Sequence, residues 1–166
     1  MRNGLIARRS AIGATVGFGG YAVYQLALAA GAPLGRGAWG GTHTELPTTL
    51  RLASAAAIGL YGLAALVVLR RAGFSVRWIS PAVARIGTWL LAVALTLSAF
   101  GNFLSPSSWE RFLNGPVALI LAGCCLIVAR SAPGTTHPSP EAPQGRHVSA
   151  PRSRHLPPGA TQGRRA

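Results

Sequence analysis

Three strings in this chain hold residue types that could do chemistry. Gly35-Arg36-Gly37-Ala38-Trp39-Gly40 spells G-x-G-x-x-G, whose glycines cradle a dinucleotide pyrophosphate when they leave a strand and open a helix. His43-Thr44-Glu45 spells H-x-E, which in zinc deaminases is completed by a P-C-x-x-C segment. Cys124 and Cys125 are the two cysteines such a site would need. The surroundings speak against all three. The glycine string follows an apolar run, not a strand, and lacks the acidic residue expected about 20 positions on to hold the ribose. The cysteines are neighbours, form no C-x-x-C pair and lie along an apolar run roughly 22 Å from the level of His43 at about 1.5 Å per helical residue. No cofactor, metal or catalytic residue is expected.

A looser constellation stands out instead. Arg36, Trp39, His43, Glu45 and Arg51 crowd one polar stretch, and Asn102, Trp109, Glu110 and Arg111 crowd another. Together they could form a ligand or partner site. Each also has an ordinary role: Glu110 fits the S-x-x-E capping box opened by Ser107, Arg51 and Arg111 can snorkel, and the Trp rings suit an interface. A hydrolase built on His43 and Glu45 is a remote alternative, since no Ser or Cys nucleophile stands beside an obvious base.

Whether the two stretches meet depends on the elements that carry them. Residues Ser10–Leu34, Leu52–Leu69, Ile86–Trp109 and Phe112–Ala129 contain no Asp, Glu, Lys or Arg, and a bilayer core takes about 20 apolar residues per helix. The expected fold is all-α, a four-helix transmembrane bundle. Its spans fall at about 10–32, 50–71, 82–104 and 109–130, in one membrane domain covering 1–130. Residues 131–166 are rich in Pro, Ser, Gly and Arg, with almost no large apolar side chains; the expectation there is a disordered basic tail.

The arginines orient the bundle. Arg2, Arg8, Arg9, Arg70, Arg71, Arg77, Arg85, Arg130 and the arginines of the tail share one side, leaving Arg36, Arg51 and Arg111 on the other with Glu45 and Glu110. Cytoplasmic flanks keep Arg while short translocated loops shed it, so both termini are expected inside the cytoplasmic membrane. The same split explains a net charge of +13 without nucleic acid: the arginines make no continuous stripe, and their expected partners are the bilayer and its anionic inner-leaflet lipids. Arg8-Arg9-Ser10 hints at a twin-arginine signal, but the apolar run beyond it exceeds the roughly 7–15 residues of a cleaved core.

Local punctuation agrees. Gly31 followed by Pro33 stops the first span, Arg70-Arg71 and Gly73 close the second, Ser80-Pro81 opens the third, and Pro116 should kink the fourth. The spans hold only neutral polar residues, among them Tyr21, Tyr24, Gln25, Ser54, Tyr61, Ser98 and Asn102. Small four-span drug antiporters depend on a membrane-embedded Glu, which these spans lack; proton-coupled transport by one chain alone is not expected.

The strings GAPLGRGAWGG (Gly31–Gly41), LPTTLRLAS (Leu46–Ser54) and NFLSPSSWERFLNGP (Asn102–Pro116) resemble an uncharacterised group of small bacterial four-span integral membrane proteins. The resemblance implies a membrane protein with no cofactor or reaction attached. The reading taken forward is a non-enzymatic structural, accessory or sensing protein whose outer loops contact a partner, lipid or small ligand. The alternative is a channel-like or transport component, a homo-oligomer lining a path with Asn102, Gln25 and the tyrosines.

Overall fold

The computed structural model describes residues 2–131, and within them the chain is all-helical. Four helices are long and apolar enough to cross a membrane: α1 (Arg2–Ala29), α2 (Thr48–Arg71), α3 (Pro81–Leu104) and α4 (Gly115–Arg130), the last extended at its start by a wide π-turn over Glu110–Asn114. The expected tail lies outside the described residues.

The helix ends follow from their residues. At the end of α1 the Ala32 N–H reaches back to the Ala27 carbonyl at 2.9 Å and the Gly31 N–H to that of Leu28 at 3.0 Å. This Schellman motif requires a left-handed residue, and Gly31 supplies it at φ 94°. The same pair of bonds ends α2, from Phe74 to Leu69 and from Gly73 to Arg70. Ser80 caps α3 through its hydroxyl, which accepts from the Val83 N–H at 3.2 Å, with Pro81 next. The kink expected from Pro116 takes the form of the π-turn. Proline has no N–H and crowds the carbonyl four residues back, and the widened turn lets the Gly115 N–H bond to the Glu110 carbonyl instead.

Helix α1 starts eight residues before its expected span, carrying Arg8 and Arg9 on its first turns. Arg8 lies over the Phe74 ring, 4.6 Å from its centroid, an arrangement that rewards a cation lying on an aromatic face. The helices pack in a ring, α1 beside α2 and α4, and α3 beside α4 and α2. Ala11, Ala14, Ala64 and Ala92 are buried at the contacts with Phe18, Val68, Leu121, Cys125 and Val128. Small residues let membrane helices approach closely; at Gly17 an added Cβ would fall 2.6 Å from the Leu121 side chain. Gly13 and Gly59 have no neighbour within 4 Å of such a Cβ.

The two ends of the bundle differ. One carries the long α1–α2 loop and the short α3–α4 turn and is called here the pocket end. The opposite end holds the start of α1, the end of α4 and the α2–α3 loop. There the Arg71 guanidinium donates to the Ala129 carbonyl at 2.8 Å and Arg70 to that of Ile79 at 3.0 Å.

Candidate functional site

The α1–α2 loop folds onto the bundle because it has apolar residues to bury: Ala38 and Leu46 pack against Leu28. The G-x-G-x-x-G string forms two 3-10 turns, Gly35–Gly37 and Trp39–Gly41, and a Cβ on Gly35 would lie 2.6 Å from the His43 carbonyl. It is a close-packed turn rather than a phosphate cradle. Trp39 sits at φ 53°, a left-handed conformation that costs a non-glycine residue roughly 1–2 kcal/mol. Its indole N–H offsets that cost by donating to the fully buried Ser54 hydroxyl at 3.2 Å.

The loop is stitched to the α3–α4 turn, some seventy residues away, almost wholly through its backbone. The Ser107 hydroxyl donates to the Arg36 carbonyl at 2.8 Å, Asn114 Nδ2 donates to the Gly37 carbonyl at 2.8 Å, and the Gly40 N–H donates to Glu110 Oε1 at 2.8 Å. Gly41 allows the approach: its φ is 69°, and a Cβ there would stand 2.7 Å from the Ser107 Cβ.

Glu110 is therefore more than a cap. The Ser107 hydroxyl does receive the Glu110 N–H at 3.5 Å, but the carboxylate does not return to Ser107. It accepts from Gly40 in the other loop and from the Ser105 hydroxyl at 2.5 Å, while the Ser107 N–H is satisfied by Ser105 Oγ at 3.1 Å. The reciprocal capping box expected at Ser107 is replaced by a strap between loops. Among the described residues no arginine neutralises the strap. Arg36 Nε donates to Thr44 Oγ1, Arg51 Nε to the Ala29 carbonyl and Arg111 to the Ser105 carbonyl. Glu110 is 7% exposed and both groups that hold its carboxylate are neutral.

Behind it lies a cavity of about 270 Å³ between all four helices, walled by Tyr21, Tyr24, Gln25, Trp39, Tyr61, Leu95, Ser98, Asn102, Glu110 and Asn114. Gln25 is 8% exposed, and its Oε1 has no hydrogen-bond partner. Tyr21 and Tyr61 stack with ring centroids 5.4 Å apart, and Phe18 lies beyond, 6.2 Å from Tyr61. Toward the opposite end the interior is apolar, closed by Phe18, Val68, Leu121 and Val128.

Of the residues picked out from sequence, the cavity gathers Trp39, Asn102 and Glu110. Arg36 and Trp109 border a separate, apolar groove of about 630 Å³ between α1 and α4. Arg51, in the first turn of α2, bonds to the end of α1, Arg111 fastens its own turn, and His43 and Glu45 are exposed on the loop. Among the described residues no three His, Cys, Asp or Glu side chains stand close enough to hold a metal ion. Ser105 and the Gly40 N–H were missed, and Gln25 was named only as a lining of the alternative path. A Gln inside an uncharged span was the available clue, because an amide buried in hydrocarbon must have a use for its two polar ends. No family model, curated protein or solved structure matches this chain.

Proposed function

We propose that this chain is a non-enzymatic multi-pass protein of the cytoplasmic membrane, an accessory or sensing protein that takes a small polar ligand into the cavity between Glu110 and Gln25 from outside. The observation that carries the reading is the Gln25 carbonyl oxygen, buried in that cavity and unpartnered. Leaving such an acceptor unsatisfied costs about 1–3 kcal/mol, a cost a structural amide would avoid and a ligand would recover.

The orientation rests on the arginines. Arg8, Arg9, Arg70, Arg71, Arg77, Arg85 and Arg130 flank the end opposite the pocket, and Arg36, Arg51 and Arg111 are those at the pocket end. Positive-inside charge then turns the pocket outward. The Trp39-Gly40-Gly41 turn and the Ser107-to-Arg111 string, which carry the family resemblance, are the two strings that meet at the strap, so the proposal extends to that group. The second reading, a channel-like or transport component, draws support from the gathering of Asn102, Gln25 and three tyrosines in one cavity. The apolar closure at Phe18 and Val68 favours a binding pocket over a path.

The test is a thermal-stability screen of purified protein in detergent against small polar molecules, run beside Ser98→Phe, which adds a ring at the cavity wall. Compounds that stabilise the native chain and fail to stabilise Ser98→Phe support the reading. A screen in which every stabiliser acts equally on both proteins refutes it.

A further inference from the structure

Four of the donors that line the cavity are spent within the fold. The Tyr21 hydroxyl donates to the Asn114 carbonyl, that of Tyr24 to the Leu34 carbonyl, the Trp39 indole N–H to Ser54, and the Asn114 amide N–H to Gly37. Left over are the Gln25 Oε1, the Asn114 side-chain oxygen and the remaining lone pairs of the Glu110 carboxylate. Ser98, Asn102 and Tyr61 can serve as either donor or acceptor. No arginine lines the cavity, and the carboxylate there has neutral partners. A ligand that answers the Glu110 carboxylate and the free acceptors therefore brings N–H donors and a positive charge. The walls suit it further, because Tyr21, Tyr24, Tyr61 and Trp39 offer aromatic rings, whose faces attract cations.

We infer that the cavity recognises a small organic ammonium ion, its N–H groups shared between Glu110 and Gln25 and its carbon skeleton among the aromatic rings. This rests on the reading of the cavity as a ligand site. The volume of about 270 Å³ admits a molecule of roughly nine heavy atoms, taking about 30 Å³ for each water-sized group. An arylalkyl amine is of that size; a bulky multi-ring cation is not.

The experiment compares three probes of near-equal size, 2-phenylethylammonium, 2-phenylethanol and phenylacetate, by equilibrium titration of the full chain in neutral detergent. The ammonium ion should bind at least roughly tenfold more tightly than the alcohol, the low end of what a desolvated charge pair contributes, and phenylacetate should bind weakest. Glu110→Gln should erase the preference for the ammonium ion over the alcohol, and Ser98→Phe should weaken both. If the alcohol binds as well as the ammonium ion and Ser98→Phe blocks both, the pocket stands and the cationic class falls. If no probe binds, or binding ignores Ser98→Phe, the pocket reading falls and takes the inference with it. Preference for phenylacetate, or an ammonium preference that survives Glu110→Gln, overturns the assignment of Glu110. The wild-type comparison needs no variant, so it decides the class even where a substitution impairs folding.

Discussion

Ser105→Ala separates the strap from a simple helix cap. In a capping box built from Ser107 and Glu110, Ser105 has no role, and its truncation would change stability by under about 0.5 kcal/mol, as at ordinary surface sites. In the structure its hydroxyl donates to the buried Glu110 carboxylate and accepts the Ser107 N–H. A hydrogen bond to a charged group is worth about 1.5–3 kcal/mol and a neutral one about 0.5–1.5 kcal/mol. Ser105 is 8% exposed, so water cannot fully replace the first bond; half-buried Ser107 recovers part of the second. The expected loss is about 2–4 kcal/mol. It should exceed the average near 0.6 kcal/mol seen for polar contacts between membrane helices, because one partner here is a carboxylate. Equilibrium unfolding in mixed micelles measures it. A double-mutant cycle with Glu110→Gln should return a coupling of about 1–2 kcal/mol, since the amide keeps only neutral bonds. The parallel cycle with Arg51→Gln should return none, because Arg51 is bonded to Ala29. A Ser105→Ala loss below about 0.5 kcal/mol, or coupling to Arg51 in place of Glu110, would refute the strap.

Other expectations follow from neighbouring contacts. Gly41→Ala places a Cβ 2.7 Å from that of Ser107 at a φ of 69°, so it should cost at least about 2 kcal/mol and raise hydrogen exchange in residues 35–46. Gln25→Leu removes the unpartnered oxygen and should leave stability unchanged or raise it by about 1 kcal/mol while abolishing ammonium binding; a marked loss of stability would show that Gln25 is structural. Phe18→Ala removes the fully buried ring beyond the cavity and should cost about 3–5 kcal/mol, read from the same unfolding curves.

The spans and most helix ends were legible in the sequence because their causes are local. Gly31 and Gly73 take left-handed caps, Ser80 accepts the Val83 N–H, and uncharged runs of membrane length become helices. Helix α1 runs ahead of the expected span because Leu5, Ile6 and Ala7 carry the helix on through Arg8 and Arg9, beyond its uncharged part. The site was half legible. Trp39, Asn102 and Glu110 could be named, but their joining could not, since the loops meet through the Gly40 N–H and the Arg36 and Gly37 carbonyls. Backbone groups are the same in every residue type and leave no mark in a sequence. Glu110 illustrates the consequence: its spacing from Ser107 is that of a cap, and only the fold shows its carboxylate turned to the other loop.

The central proposal is that a cavity with free acceptors opens outward beside Glu110, and thiol accessibility tests it most directly. In a Cys124→Ala, Cys125→Ala background, Ser98→Cys would be treated in intact cells with membrane-impermeant methanethiosulfonates, one trimethylammonium and one sulfonate, beside Thr42→Cys as an outer reference and Ser75→Cys as an inner one. The account predicts that Ser98→Cys and Thr42→Cys react from outside and Ser75→Cys does not. It further predicts that the cationic reagent is favoured at Ser98→Cys by at least roughly tenfold relative to its advantage at Thr42→Cys. Labelling of Ser75→Cys but not Thr42→Cys in intact cells, or a Ser98→Cys that prefers the sulfonate, would contradict it.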